Sequence, residues 1–162
     1  MSKSAAPRTS LMRKRVARLA AAQALYARAL THKKTKPEVL VQQVLQSWQD
    51  SKTSDARDVP YDTQPEAALT SKLVLGAVAH HERIEGAIDG LILPQWKKER
   101  MSLPLLSVLR TCAAEALTSP TKPRGMLVEE YTEVASQLVS DDELAYAHKG
   151  FNLLLDALAP AS

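Results

Sequence analysis

From Met12 onward, apolar residues return every three to four positions, the interval at which side chains share one face of an α-helix. Met12, Val16, Leu19, Gln23, Tyr26 and Leu30 keep this spacing and predict a first helix over about Leu11–Leu30. Arg13, Lys14, Arg18 and Arg28 fall on the opposite side, with Arg15 near the margin of the stripe. Thr35-Lys36-Pro37-Glu38 and Thr63-Gln64-Pro65-Glu66 place Thr three residues before Glu, the spacing of a reciprocal helix cap. They predict a second helix over Pro37–Gln49 and a third over Pro65–His80, separated by a polar loop. Glu82–Leu93 reads as a fourth helix ended by Pro94, and Ser102 caps a fifth running to Leu117. Gly125–Leu138 is the sixth, and the box Ser140-Asp141-Asp142-Glu143 opens a last helix burying Leu144, Ala147, Phe151, Leu155 and Leu158. No segment alternates with period two, so the expected fold class is all-α, with about seven helices in two packed sub-bundles, roughly 11–93 and 94–160. Met1–Ser10 reads as a flexible basic arm.

Composition narrows the setting. The 162 residues are 45% hydrophobic, enough for a core, and no apolar run approaches the length of a membrane span. A single cysteine, Cys112, within an Ala/Leu-rich run, reads as a buried thiol. With no signal-peptide pattern, a cytoplasmic location is expected. The net charge of +3 conceals an asymmetry: Met1–Lys36 holds ten Lys and Arg and no acid, whereas the remainder holds 11 basic and 18 acidic residues, net −7. A basic end on an acidic body points to an anionic partner for the N-terminus.

Catalytic patterns are weak. The adjacent His80 and His81 point about 100° apart on a helix, and no cysteine pair completes a zinc site. Glu129 and Glu133 share a face at i,i+4 but read as a solvated pair. Cys112 has no companion cysteine, and the glycines assemble no phosphate loop. The expectation is a non-enzyme without cofactor or metal. Arg13, Lys14, Arg15 and Arg18 are the sharpest local feature, because guanidinium groups fork onto phosphates and stack on unpaired bases. Nucleic acid is the favoured partner of such a helix, while an acidic protein or plain solubility stay open as alternatives on the residues alone.

The stretch Arg13-Lys14-Arg15-Val16-Ala17-Arg18-Leu19-Ala20-Ala21-Ala22-Gln23-Ala24-Leu25-Tyr26 resembles the arginine-rich opening helix of the NusB family of transcription antitermination factors. Further stretches agree in order: Leu73-Val74-Leu75-Gly76-Ala77-Val78, Ile88-Asp89 through Trp96, Val108-Leu109-Arg110 with Glu115, and Glu130, Glu133, His148-Lys149, Asn152 and Asp156. The chain departs from the family pattern at Leu105, Ala114, Glu129 and Leu153. The resemblance implies an all-helical fold and binding of the boxA element of nascent ribosomal RNA, jointly with the ribosomal protein NusE, within an RNA polymerase antitermination complex. It makes Arg13, Lys14, Arg15 and Arg18 the principal RNA-contacting residues and Lys149 a further one. Tyr26 is expected in the core, and Trp96 at the seam between sub-bundles. Rival readings are a helical protein-interaction module whose RNA site has lapsed or lost specificity, and the NusB-like domain of an RNA methyltransferase. No methyltransferase motif accompanies it in this sequence.

Overall fold

The computed structural model describes residues 5–31, 34–53, 63–91 and 101–159. Among these residues the chain forms α1 (Ala5–Leu30), α2 (Pro37–Thr53), α3 (Ala67–Ala79), α4 (His81–Leu91), α5 (Leu103–Thr118), α6 (Arg124–Ser136) and α7 (Asp141–Leu158). The all-α expectation holds. Trp96 and most of the polar loop after α2 lie outside the described residues.

Helices α1, α2 and α3 pack on one another, and α4 to α7 form a second group in which α5 and α7 touch each of the others. Helix α5 lies across both groups, against α1 and α3. Helix α4, adjacent in sequence to α3, packs chiefly on α7 and α5. The buried apolar residues form one continuous core, with Leu19, Leu73, Ile84, Leu109, Tyr131 and Phe151 among its largest members. The Tyr131 and Phe151 rings meet at 6.2 Å, tilted by 54°.

The sequence expects α1 to bury a stripe, but the structure buries its middle all round. Val16, Ala17, Leu19, Ala20, Ala21, Ala22, Ala24 and Leu25 are all enclosed. Alanine explains this, because a helix without large side chains lets neighbours approach on several sides, here α2, α3, α5 and α6. Tyr26, expected in the core, is 36% exposed, and Leu30 is 56% exposed, because both lie beyond this enclosed stretch.

Several boundaries move for identifiable reasons. Helix α1 begins at Ala5, so residues 5–10, expected as a flexible lead-in, are helical; Pro7 falls in the first turn, where its missing amide is tolerated. Helix α2 continues past the last apolar position. Gln46 donates to Asp50 Oδ1 at 2.9 Å and Ser51 Oγ to the Ser47 carbonyl at 3.0 Å, so polar i,i+4 pairs carry it on. Helix α3 starts at Ala67 rather than Pro65, and Glu66 occupies the cap position without a side-chain cap bond. Its backbone N–H instead donates to the Arg13 carbonyl at 3.1 Å, a tertiary contact that periodicity does not reveal.

The caps predicted at Ser102 and Ser140 form. Ser102 Oγ accepts from Leu105 N at 3.2 Å, and Ser140 Oγ accepts from Glu143 N at 3.3 Å. The Glu143 carboxylate accepts from Ser102 N at 3.1 Å, so the second half of the α7 capping box ties the start of α5 to the start of α7.

Gly76 lies where α3 passes close to α5. A Cβ there would stand 2.7 Å from Thr118 Cγ2. The Thr118 hydroxyl donates to the Ala114 carbonyl at 2.7 Å, which opposes rotation of that methyl out of the way. Gly76→Ala is therefore expected to lose about 1 kcal/mol net, overpacking outweighing the helix propensity of alanine. Adding Thr118→Ser, which removes only the methyl, should recover most of it in a urea-denaturation double-mutant cycle. Simple additivity would disprove the clash.

Of the positions that depart from the family pattern, Leu105 and Ala114 are both buried in the apolar core. Glu129 and Leu153 lie at the surface.

Candidate nucleic-acid interface

The basic residues of α1 divide into three environments. Arg13 is exposed, and Lys14 and Arg15 are half-buried at the edge of the helix. Arg18, expected on the basic surface with them, is only 4% exposed. Arg28 stands 15 positions after Arg13, about 22 Å along the axis at 1.5 Å per residue, so it belongs to another region. There burial and the charge of Arg110 lower its proton affinity, partly offset by Glu85. Arg110 itself is held by Glu85, with Nε and Nη2 donating at 3.0 and 2.8 Å, which clamps α5 to α4.

Arg18 is buried because a carboxylate waits for it. Glu115, on α5, is fully enclosed, and Arg18 Nε and Nη2 donate to its two oxygens at 2.7 and 2.9 Å. Lys122 Nζ donates to the same carboxylate at 2.7 Å and Tyr131 Oη at 2.6 Å. Burial would push the Glu115 carboxyl up, but Arg18, Lys122 and Tyr131 together hold it down at about 2. The same contact raises Arg18 against the desolvation that would lower it. Burial pushes the Tyr131 hydroxyl well up, and the adjacent Glu115 charge adds to that, so it remains a donor. Cys112 is raised by burial first and Glu115 second, which keeps it a thiol.

The network reaches the surface through α6. Arg15 donates to Glu130 from Nε at 3.2 Å and Nη2 at 2.8 Å, and Arg18 Nη1 reaches the same residue at 3.2 Å. A ladder of alternating charge thus runs from Arg15 through Glu130 and Arg18 to Glu115. It fixes the start of α1 against α5 and α6 and orients the guanidinium of Arg15 at the rim.

The sequence-predicted set is therefore only partly brought together. Arg13, Lys14 and Arg15 share the N-terminal half of α1; Arg18 lies behind them as their anchor. Its side chain enters the seam toward α5 and α6, where the buried carboxylate compensates its charge. Lys149 is exposed on α7, a helix that packs on α4, α5 and α6. Glu115, Glu130 and Lys122 are the members that residue-level reasoning missed. A lone carboxylate in the apolar run Cys112-Ala113-Ala114-Glu115-Ala116-Leu117 was the signal for them, since burying such a charge requires a partner.

A sequence profile of the NusB family matches residues 15–146, most of the chain and all of this ladder. The chain belongs to the NusB family. It is 24% identical over 147 residues to the transcription antitermination protein NusB of Rickettsia felis, covering 91% of each chain. The corresponding protein of Sphingopyxis alaskensis is 30% identical over 147 residues, covering 88% of this chain and 89% of that one. That of Maricaulis maris is 24% identical over 139 residues, covering 86% and 83%. NusB membership makes the chain a transcription antitermination factor. Among the described residues, no helix is long and apolar enough to cross a membrane, and no group of three His, Cys, Asp or Glu is placed to hold a metal ion.

Proposed function

We propose that this NusB-family chain binds single-stranded boxA-type RNA of nascent ribosomal transcripts in the cytoplasm, together with the ribosomal protein NusE, and so supports read-through by RNA polymerase. The observation that carries the reading is the cationic edge Arg13, Lys14 and Arg15, in which Arg15 is held by the Arg15–Glu130–Arg18–Glu115 ladder. A cation already fixed in place, as Arg15 is, loses less side-chain freedom on meeting a strand than a mobile one. Arg18 takes a positioning role, and Lys149 on α7 is a secondary phosphate contact. Binding two partners at once raises the effective concentration of each. The acidic balance of the chain after Lys36, net −7, suits a basic ribosomal protein.

The test is fluorescence anisotropy with boxA and scrambled RNA, with and without NusE, across a salt series. Neutralising Arg13 or Lys14 with alanine is expected to reduce the salt slope by roughly 0.7 for each phosphate no longer neutralised, with thermal stability unchanged. Preference for boxA strengthened by NusE supports the reading. Tight NusE binding with no RNA affinity replaces it by the protein-interaction module.

A further inference from the structure

On the solvent side of the ladder lies an open cleft of about 440 Å³ between the start of α1, the turn after α5 and the start of α6. Its lining joins the apolar Leu11, Met12 and Met126 to the cationic Lys14, Arg15, Arg18 and Lys122, with the Glu130 carboxylate bound to Arg15 and Arg18. Its size falls within the roughly 300–1,000 Å³ of small-ligand sites. Leu11 is 67% exposed, so a bulky apolar side chain of this lining stands in water.

The apolar and the cationic side chains select different parts of one ligand. Arg15 gives Nε and Nη2 to Glu130, so the edge that would fork onto a phosphate is already engaged. A guanidinium held in this way has a fixed plane and recognises a flat π system by its face. Methionine is polarizable and adaptable, and makes favourable contacts with aromatic rings. Lys14 brings compact positive charge, which suits a phosphate without demanding fork geometry, and Lys122 can add the ammonium donors that Glu115 does not take. A flat ring joined to an anion is a nucleotide, and its base must be unstacked to enter, which excludes a duplex.

We propose that this cleft receives one unpaired base of a single-stranded RNA, stacked on the Arg15 guanidinium between Met12 and Met126, with the adjoining phosphate beside Lys14 and Lys122. The proposal rests on the RNA-binding reading above and specifies how the site selects single strands. It makes Glu130 a positioning residue, acting through Arg15, and adds Leu11, Met12, Met126 and Lys122 to the interface.

The experiment is an abasic scan on the full chain: single-stranded RNAs carrying one abasic position at a time, titrated by anisotropy against the unmodified protein, Met126→Ala and Leu11→Ala. One abasic position is expected to weaken binding to the unmodified protein roughly 3- to 30-fold, the scale of a cation on a desolvated π face. In Met126→Ala the same RNA should lose little further affinity. Leu11→Ala should show a smaller coupling at the same position. It sits at an exposed residue, so it keeps the test decisive if Met126→Ala folds poorly. Neither variant should change the salt slope, whereas Lys14→Ala lowers it. Salt-dependent RNA binding with no abasic position coupled to Met126 or Leu11 overturns the base pocket and leaves the RNA-binding reading intact. Equal affinity for duplex RNA also overturns the pocket. Absence of salt-dependent RNA binding overturns both, as does an acidic peptide bound in place of RNA with the same Leu11 and Met126 dependence.

Discussion

Arg18→Ala is expected to lower the unfolding free energy by roughly 3–5 kcal/mol, the scale for removing one partner of a buried ion pair. The Glu115 carboxylate would stay enclosed with only Lys122 and Tyr131 against it. Arg13→Ala, at the exposed end of the same cluster, should change stability by no more than about 0.5 kcal/mol. Urea denaturation separates the two, because both residues look alike as basic side chains on one helix. Arg18→Lys should recover only part of the loss, since an ammonium cannot reproduce the two parallel bonds from Nε and Nη2. An Arg18→Ala protein of undiminished stability but weakened RNA binding would return Arg18 to the surface set.

The same network predicts how stability falls in acid. The Glu115 carboxyl titrates at about 2 in the folded chain, against an ordinary value of 4.5. Between those values the unfolded chain takes up a proton that the folded chain refuses, so stability decreases as pH falls. The contribution is complete above about pH 5, declines through 4.5 and is gone below about 2, and it is on the order of 3 kcal/mol. Glu115→Gln abolishes this titration while leaving the other carboxylates in place. Its stability deficit relative to the unmodified chain, measured by urea midpoint from pH 6 to pH 2.5, should therefore shrink steadily with acidification. A deficit independent of pH would mean that Glu115 is not held as an anion.

Much of the fold was legible because its signals are local. Helical periodicity depends on residues three and four apart, and the Ser102 and Ser140 caps on residues three apart, so all seven helices and these two caps could be placed. The errors fall where a distant group competes for the same atom. Thr63 gave way as the start of α3 when the Glu66 amide found the Arg13 carbonyl. The Glu143 side chain passed over its own helix cap for Ser102. The motif around Gly76 was visible in the chain, but its cause, the Thr118 methyl 2.7 Å from where a Cβ would sit, belongs to α5.

What the sequence determined by itself is the all-helical class, the basic N-terminal helix and the NusB-like order of motifs, since each is written in neighbouring residues or in their succession. What only the tertiary structure decided is which of those basic residues meet solvent. Arg15 and Arg18 are three positions apart on one helix and chemically identical. The enclosed carboxylate of Glu115, 97 positions beyond Arg18 in the chain, draws the second into the core, while Glu130 holds the first at the rim. A charge is buried or exposed according to the partner that compensates its desolvation, and that partner is supplied by the packing of α5 and α6 against α1.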